Sequence, residues 1–176
     1  MNGKCGCNKS GGGSTAGTYL LTVNVSPSDA SVSVQIGSGS MTRYTEPVTV
    51  DEGVKVTVTA VKSGYVGRSE TMTMDSDETL DWTLPVAPSW TLTSQTVVDT
   101  GDDIPFRITD EENVGWRVKC PSWCSFENGT ISGTGAASML LSVDTNDTGA
   151  ERSGYVYLYV AGSTSPVKAC KITQKA

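Results

Sequence analysis

The chain has 176 residues and a mass of 18.5 kDa, enough for one large or two small domains. It is 37% hydrophobic, which suffices for a core, and its net charge of −6 argues against a nucleic-acid-binding face, because neutralising phosphates needs clustered Lys and Arg. It contains no histidine, so the usual general base, metal ligand and pH switch are missing, and no apolar run is long enough to span a bilayer.

Gly, Ser and Thr are abundant, β-branched residues dominate the apolar set, and no window holds a helical period. The expected fold is therefore all-β.

Residues 1–18 form a Gly/Ser/Thr-rich leader containing Ser10-Gly11-Gly12-Gly13-Ser14, the composition of a flexible linker. Cys5-Gly6-Cys7 looks metal-like, yet no second cysteine pair stands at zinc-site spacing and no histidine completes a tetrahedral set. Free or buried thiols are the plain reading of the five cysteines. The sharper one is that Cys5 or Cys7 pairs with another chain, since an odd count leaves one thiol over. Met1 to Asn8 lack the apolar core of a secretion signal, and no lipobox precedes the cysteines. The expectation is a chain that stays in the cell that makes it, or leaves by lysis inside a particle.

The first domain is expected over 19–85. Leu20 to Val25 reads as a strand, and Ser26-Pro27-Ser28-Asp29-Ala30 as a turn. Ser31 to Ile36 alternates strictly, with Val32, Val34 and Ile36 on one face. After the punctuation of Gly37 to Ser40, Glu46 to Val50 and Val54 to Val61 continue the period of two. Ser63-Gly64-Tyr65 turns the chain, and Thr71 to Met74 and Thr79 to Leu84 finish the segment. This order resembles the PEGA family, on Pro27 and Ala30 after the first strand, Pro47 before the next, then Gly53, Gly64-Tyr65 and a strand ending at Leu84. The resemblance implies a small β-sandwich without catalysis. The departure is at Ile36 to Arg43, where Gly37-Ser38-Gly39-Ser40 replaces a compact turn and predicts a longer loop. Pro85-Val86-Ala87-Pro88 reads as a stiff linker that holds a fixed spacing.

The second domain is expected over 86–176. Trp90 to Leu92, Ile104 to Ile108, Gly115 to Val118, Ser125-Phe126 and Met139 to Val143 supply short strands separated by turn clusters, the signature of a sandwich. Asn146 to Gly149 is a polar turn feeding the clearest strand. There Val156, Leu158 and Val160 share one face, and Tyr155, Tyr157 and Tyr159 the other. Val167 to Gln174 alternates as well and closes a final hairpin.

Four constellations invite a chemical reading. Asp99-Thr100-Gly101 copies the aspartic protease tripeptide, but such enzymes need two carboxylates sharing a proton, and this one precedes Asp102-Asp103 as in a solvated loop. Asp144 to Gly149 has the oxygen-rich look of a calcium loop, yet Tyr155 stands where a bidentate Glu is required, which leaves a solvated turn. Trp82, Trp90, Trp116 and Trp123 could make a sugar-stacking platform, with core the better reading for Trp116 and Trp123. Tyr155, Tyr157 and Tyr159 form an outward row spaced by ~7 Å, either a glycan-stacking or subunit-contact surface or a face covered by the neighbouring domain or by cross-strand partners. Cys120 and Cys124 flank Trp123 and would pair if they sit on adjacent turns. With no catalytic set in a recognised frame, neither enzymatic activity nor a metal or cofactor is expected.

Asn146, Arg152-Ser153-Gly154 before an alternating strand, and a terminal Cys170-Lys171-Ile172-Thr173-Gln174 resemble the BACON family, with Trp116-Arg117-Val118 and Pro121-Ser122-Trp123 matching its tryptophan-bearing strands. The resemblance covers Ser89 to Ala176. It implies an immunoglobulin-type β-sandwich, proposed for that family to bind carbohydrate or mucin glycans. The whole chain is thus expected to be two small immunoglobulin-like β-sandwiches in tandem after a Gly/Ser-rich tail. PEGA-like plus BACON-like domains resemble head-fibre or decoration proteins of crAss-like tailed phages. That resemblance implies a non-enzymatic virion structural protein at the particle surface, a homo-oligomer (dimer or trimer). Its tail, with Cys5 and Cys7, would anchor to the capsid protein, and its outer sandwich would meet host or mucin glycans. It implies neither a nucleic-acid nor a membrane partner. The alternative is a bacterial cell-surface or periplasmic carbohydrate-binding protein.

Overall fold

A computed structural model describes residues 17–126 and 131–176. Cys5, Cys7 and the leader they belong to lie outside the described residues. Sixteen strands and no helix occur among the described residues, so no helix there is long and apolar enough to cross a membrane. The chain is all-β and sandwich-like, as its composition predicts.

Two sheets come from the first half. One has β1 (Thr18–Ser26) at its centre, flanked by β4 (Val48–Asp51) antiparallel and β7 (Glu78–Thr83) parallel. The other runs β3 (Thr42–Arg43), β2 (Ser31–Ile36), β5 (Lys55–Val61) and β6 (Arg68–Thr73), all antiparallel. Their alternating faces close on Leu21, Val23, Val34, Val50, Val56, Val58, Ala60, Met74, Trp82 and Leu84. Period-two burial of β-branched residues is the main source of stability here.

Ile36 shares a face with Val34, as the alternation predicts, and is 39% exposed because it ends its strand beyond the core. One expectation needs correcting in this half. The Gly37 to Arg43 stretch is not a long free loop. Gly39 N donates to Ile36 O at 3.0 Å, and β3 folds back on β2 through Ser33 and Val34. The Pro85 to Pro88 linker is tied to the first half: Val66 N donates to Pro85 O, Ala87 N to Gly64 O, and Tyr65 pairs with Val86.

Two further sheets come from the second half. One runs β12 (Cys124–Phe126), β14 (Ala137–Val143), β10 (Asp102–Thr109) and β8 (Ser89–Trp90). The other has five strands: β13 (Ser132–Gly133), β11 (Trp116–Lys119), β15 (Arg152–Val160), β16 (Pro166–Gln174) and β9 (Gln95–Val97). All its pairings are antiparallel except β16 with β9. Trp90, Phe106, Trp116, Phe126, Leu141, Leu158 and Ile172 are among the residues filling this second core, which shares no residue with the first. The expected final hairpin forms, with Val156 opposite Cys170 and a bulge between Leu158 and Tyr159.

The turn before β11 depends on one buried carboxylate. Asp110 is 3% exposed and accepts from the backbone N–H groups of Val114, Gly115 and Gly135 at 2.9–3.0 Å. A carboxylate can be buried when several donors replace its water.

Candidate functional site

The tyrosine row lies on the outer face of the five-stranded sheet. Val156, Leu158 and Val160 on the opposite face are buried, which turns Tyr155, Tyr157 and Tyr159 outward. Tyr155 is 50% exposed, while Tyr157 and Tyr159 are half-buried. The cover comes from the row itself and its neighbours. Tyr155 and Tyr157 stack with centroids 6.0 Å apart and planes at 26°; Tyr157 and Tyr159 follow at 6.2 Å and 49°. These separations lie within the range of attractive ring pairs. The Arg117 guanidinium sits 4.4 Å over the Tyr159 ring and donates to Ser163 O at 3.4 Å. What remains open is the ring of Tyr155 and the edge of the row, an apolar surface with polar hydroxyls that suits the C–H faces and hydroxyls of a sugar.

Register adds residues that periodicity alone does not reveal. Lys119 lies opposite Tyr157 on β11, and Lys171 opposite Tyr155 on β16. Directly opposed residues share a face. The alternation of Val167 to Gln174 puts Lys171 on the face away from Cys170 and Ile172, but only the pairing of Val156 with Cys170 sets it against Tyr155.

The start of β15 is held from below. Gln174 is fully buried, and its Nε2 donates to the carbonyls of Val98, Asp99 and Asp144 while its Oε1 accepts from Arg152 Nε at 2.8 Å. Arg152 also donates to Asp144 O and Thr145 O, and its guanidinium covers the Trp123 ring at 4.8 Å. Gly154 leaves the space into which Pro121 and Trp123 pack. Arg152, Gly154, Gln174, Pro121 and Trp123 thus meet at the start of the strand bearing the tyrosines.

The other sequence-flagged groups have structural places. Trp82, Trp90 and Trp116 are core residues, the last donating its indole N–H to Gly135 O at 2.8 Å. Trp123 is half-buried at the margin of the second core, packed against it with Arg152 across its ring. Gly101, at φ +87°, has Val143 O 2.3 Å from where a Cβ would stand, and Asp99 O accepts from Asn146 N and Gln174 Nε2. That places Asp99-Thr100-Gly101 as a backbone turn packed under Gln174. The Asp144 to Gly149 turn is not wholly solvated: Asn146 is 5% exposed, donating to Ala150 O and Lys175 O and accepting from Thr148. Among the described residues no three His, Cys, Asp or Glu side chains cluster as a metal site.

Cys120, Cys124 and Cys170 are free thiols, and Cys120 Sγ donates to Cys124 O instead of bonding its sulfur. Burial pushes Cys124 up to about 12 and Cys170 up to about 11, against an ordinary 9.0, and raises Cys120 as well. The folded-state values are the higher ones. The stability these groups contribute is therefore intact below about pH 9 and is lost as pH climbs towards 11–12. Two results follow. At about pH 8, iodoacetamide alkylates Cys124 and Cys170 far more slowly in the folded chain than in urea, read by peptide mass mapping. At about pH 10.5 the urea midpoint falls, and Cys124→Ala flattens that fall.

No family model and no curated protein matches the chain. Among solved structures it is similar to a Bacteroides ovatus GH5 xyloglucanase in complex with a XXXG heptasaccharide. That match has 18% identity and a TM-score of 0.42, and it covers 51% of this chain and 19% of that one. A likeness of that size carries no argument about function.

Proposed function

We propose that this chain is a recognition protein that binds glycans through the Tyr155, Tyr157 and Tyr159 row and performs no chemistry on them. The observation that carries the reading is the row itself: three tyrosines in ring-to-ring contact on the outer face of a sheet, with Tyr155 half exposed. Large aromatic surface left in water at ordered positions marks an interaction site. The resemblance of the second half to the BACON family supports carbohydrate as the ligand. The pairing with a PEGA-like first half supports placement on a tailed-phage particle, as a head-fibre or decoration protein whose leader, with Cys5 and Cys7, is the capsid anchor and whose copies associate.

A glycan array probed with the full chain, followed by calorimetry on the best ligand, tests the recognition claim. Tyr155→Ala and Tyr157→Ala are each expected to weaken binding by roughly tenfold or more, as for aromatic anchors at other interfaces, with the fold retained. An array without a hit, or affinities indifferent to both substitutions, would sink it. Mass spectrometry of purified particles tests the placement. Recovery of the chain from a bacterial envelope fraction instead would replace the virion with the cell surface.

A further inference from the structure

We propose that the tyrosine face selects sulfated oligosaccharides over neutral ones; this rests on the glycan reading above and names the class of sugar the site would take. Register places cations on both flanks of the row, Lys119 opposite Tyr157 and Lys171 opposite Tyr155. Both side chains are exposed, and among the described residues neither takes part in an ion pair. Adjacent strands lie ~4.8 Å apart and same-face neighbours ~7 Å apart along a strand, which puts the two lysine positions on the order of 12 Å apart with the tyrosines between them. Arg117 adds a third cation opposite Tyr159. From Ser132 on one edge to Thr96 on the other, none of the residues that register assigns to this face is Asp or Glu. On a chain of net charge −6 that is a local reversal of sign, and it favours an anionic ligand.

The kinds of cation choose among anions. A planar carboxylate is matched best by the fork of an arginine. The arginine of this face has its guanidinium laid on Tyr159 and bonded to Ser163 O, so its fork is engaged. The two open cations are lysines, compact point charges that pair with a tetrahedral oxyanion from any side. A sulfate ester is such a group, and the sugar that bears it keeps the C–H face that the Tyr155 ring receives.

The test titrates the full chain with one oligosaccharide in neutral, sialylated and sulfated forms, and with single-stranded oligo-dT, at physiological salt. The sulfated form is expected to bind about tenfold tighter than the neutral one, the worth of two partly exposed charge pairs. Lys119→Gln combined with Lys171→Gln removes that advantage, so that the sulfated and neutral forms bind alike, whereas Tyr155→Ala weakens both and keeps the preference. Both lysines are exposed, so the double Gln variant keeps the parent's thermal midpoint. Equal affinity for sulfated and neutral sugar overturns the inference and leaves the glycan reading standing. A preference for the sialylated form, or oligo-dT bound as tightly as the sulfated sugar, overturns it in favour of carboxylates or of polyanions at large. No binding to any sugar overturns both readings.

Discussion

Replacing Gln174 by alanine is expected to cost the second half about 3 kcal/mol of stability, the range for truncating a large, fully buried side chain. The side chain is 0% exposed, and its amide joins three separate stretches of backbone. Nε2 donates to Val98 O and Asp99 O at 3.1 Å and to Asp144 O at 2.8 Å, and Oε1 receives Arg152 Nε. Each carbonyl keeps a second donor: Gly101 N for Val98, Asn146 N for Asp99 and an Arg152 N–H for Asp144. The loss is therefore not that of three orphaned acceptors. It is a cavity plus the release of the contact that ties β16 to the 98–101 and 144–146 turns. Gln174→Glu separates the two contributions. It fills the same volume, but it turns an acceptor and a charge towards three carbonyls, so it is expected to be at least as damaging as alanine. Guanidinium unfolding followed by tryptophan fluorescence gives the stability. Hydrogen exchange at β15 and β16 locates it, with the amides from Arg152 to Val156 losing most protection. A Glu variant as stable as the parent would show that the amide donor contributes nothing.

Much of this fold can be read in the chain because most strands bury one face and wet the other. Val32 and Val34, Val56 and Val58, and Val156, Leu158 and Val160 each announce their element by period two. The strands that escape reading are β3, β9 and β13, of two or three residues each, too short to show a period and defined only by the partner they pair with. The candidate site divides the same way. The tyrosine row follows from alternation within one strand. Lys119 and Lys171 join it only through pairing with β11 and β16, so they become visible once register is known. Trp123 reaches only the margin of the core, and what the sequence does not show is that a charged group, Arg152, lies across its ring. Gly154 is the least legible, since nothing near it in the sequence says that Pro121 occupies the space a side chain would need.

Gly154→Ala is accordingly the second large effect expected. The backbone there is ordinary strand, so the cost is one of space. A Cβ would stand 2.4 Å from Pro121 Cγ, 3.1 Å from Pro121 Cβ and 3.2 Å from Trp123 Cζ2. A pyrrolidine ring cannot swing aside as a long side chain would, and Pro121 O is held by Cys124 N in the turn that opens β12. The Pro121 to Trp123 turn must move outward, and the indole then loses its place under Arg152. Overpacking of this kind costs about 1–3 kcal/mol in a well-packed site, and valine at 154 exceeds it. Pro121→Ala removes the nearest atom while keeping the turn, so combining it with Gly154→Ala is expected to recover more than half of the loss, a favourable coupling between two residues in contact. Each variant's guanidinium midpoint closes that cycle. If the two substitutions simply add, the clash is not what Gly154 avoids. If they couple, the shared space beneath β15 fixes the strand one residue before Tyr155, and glycan affinity should return with stability in the double variant.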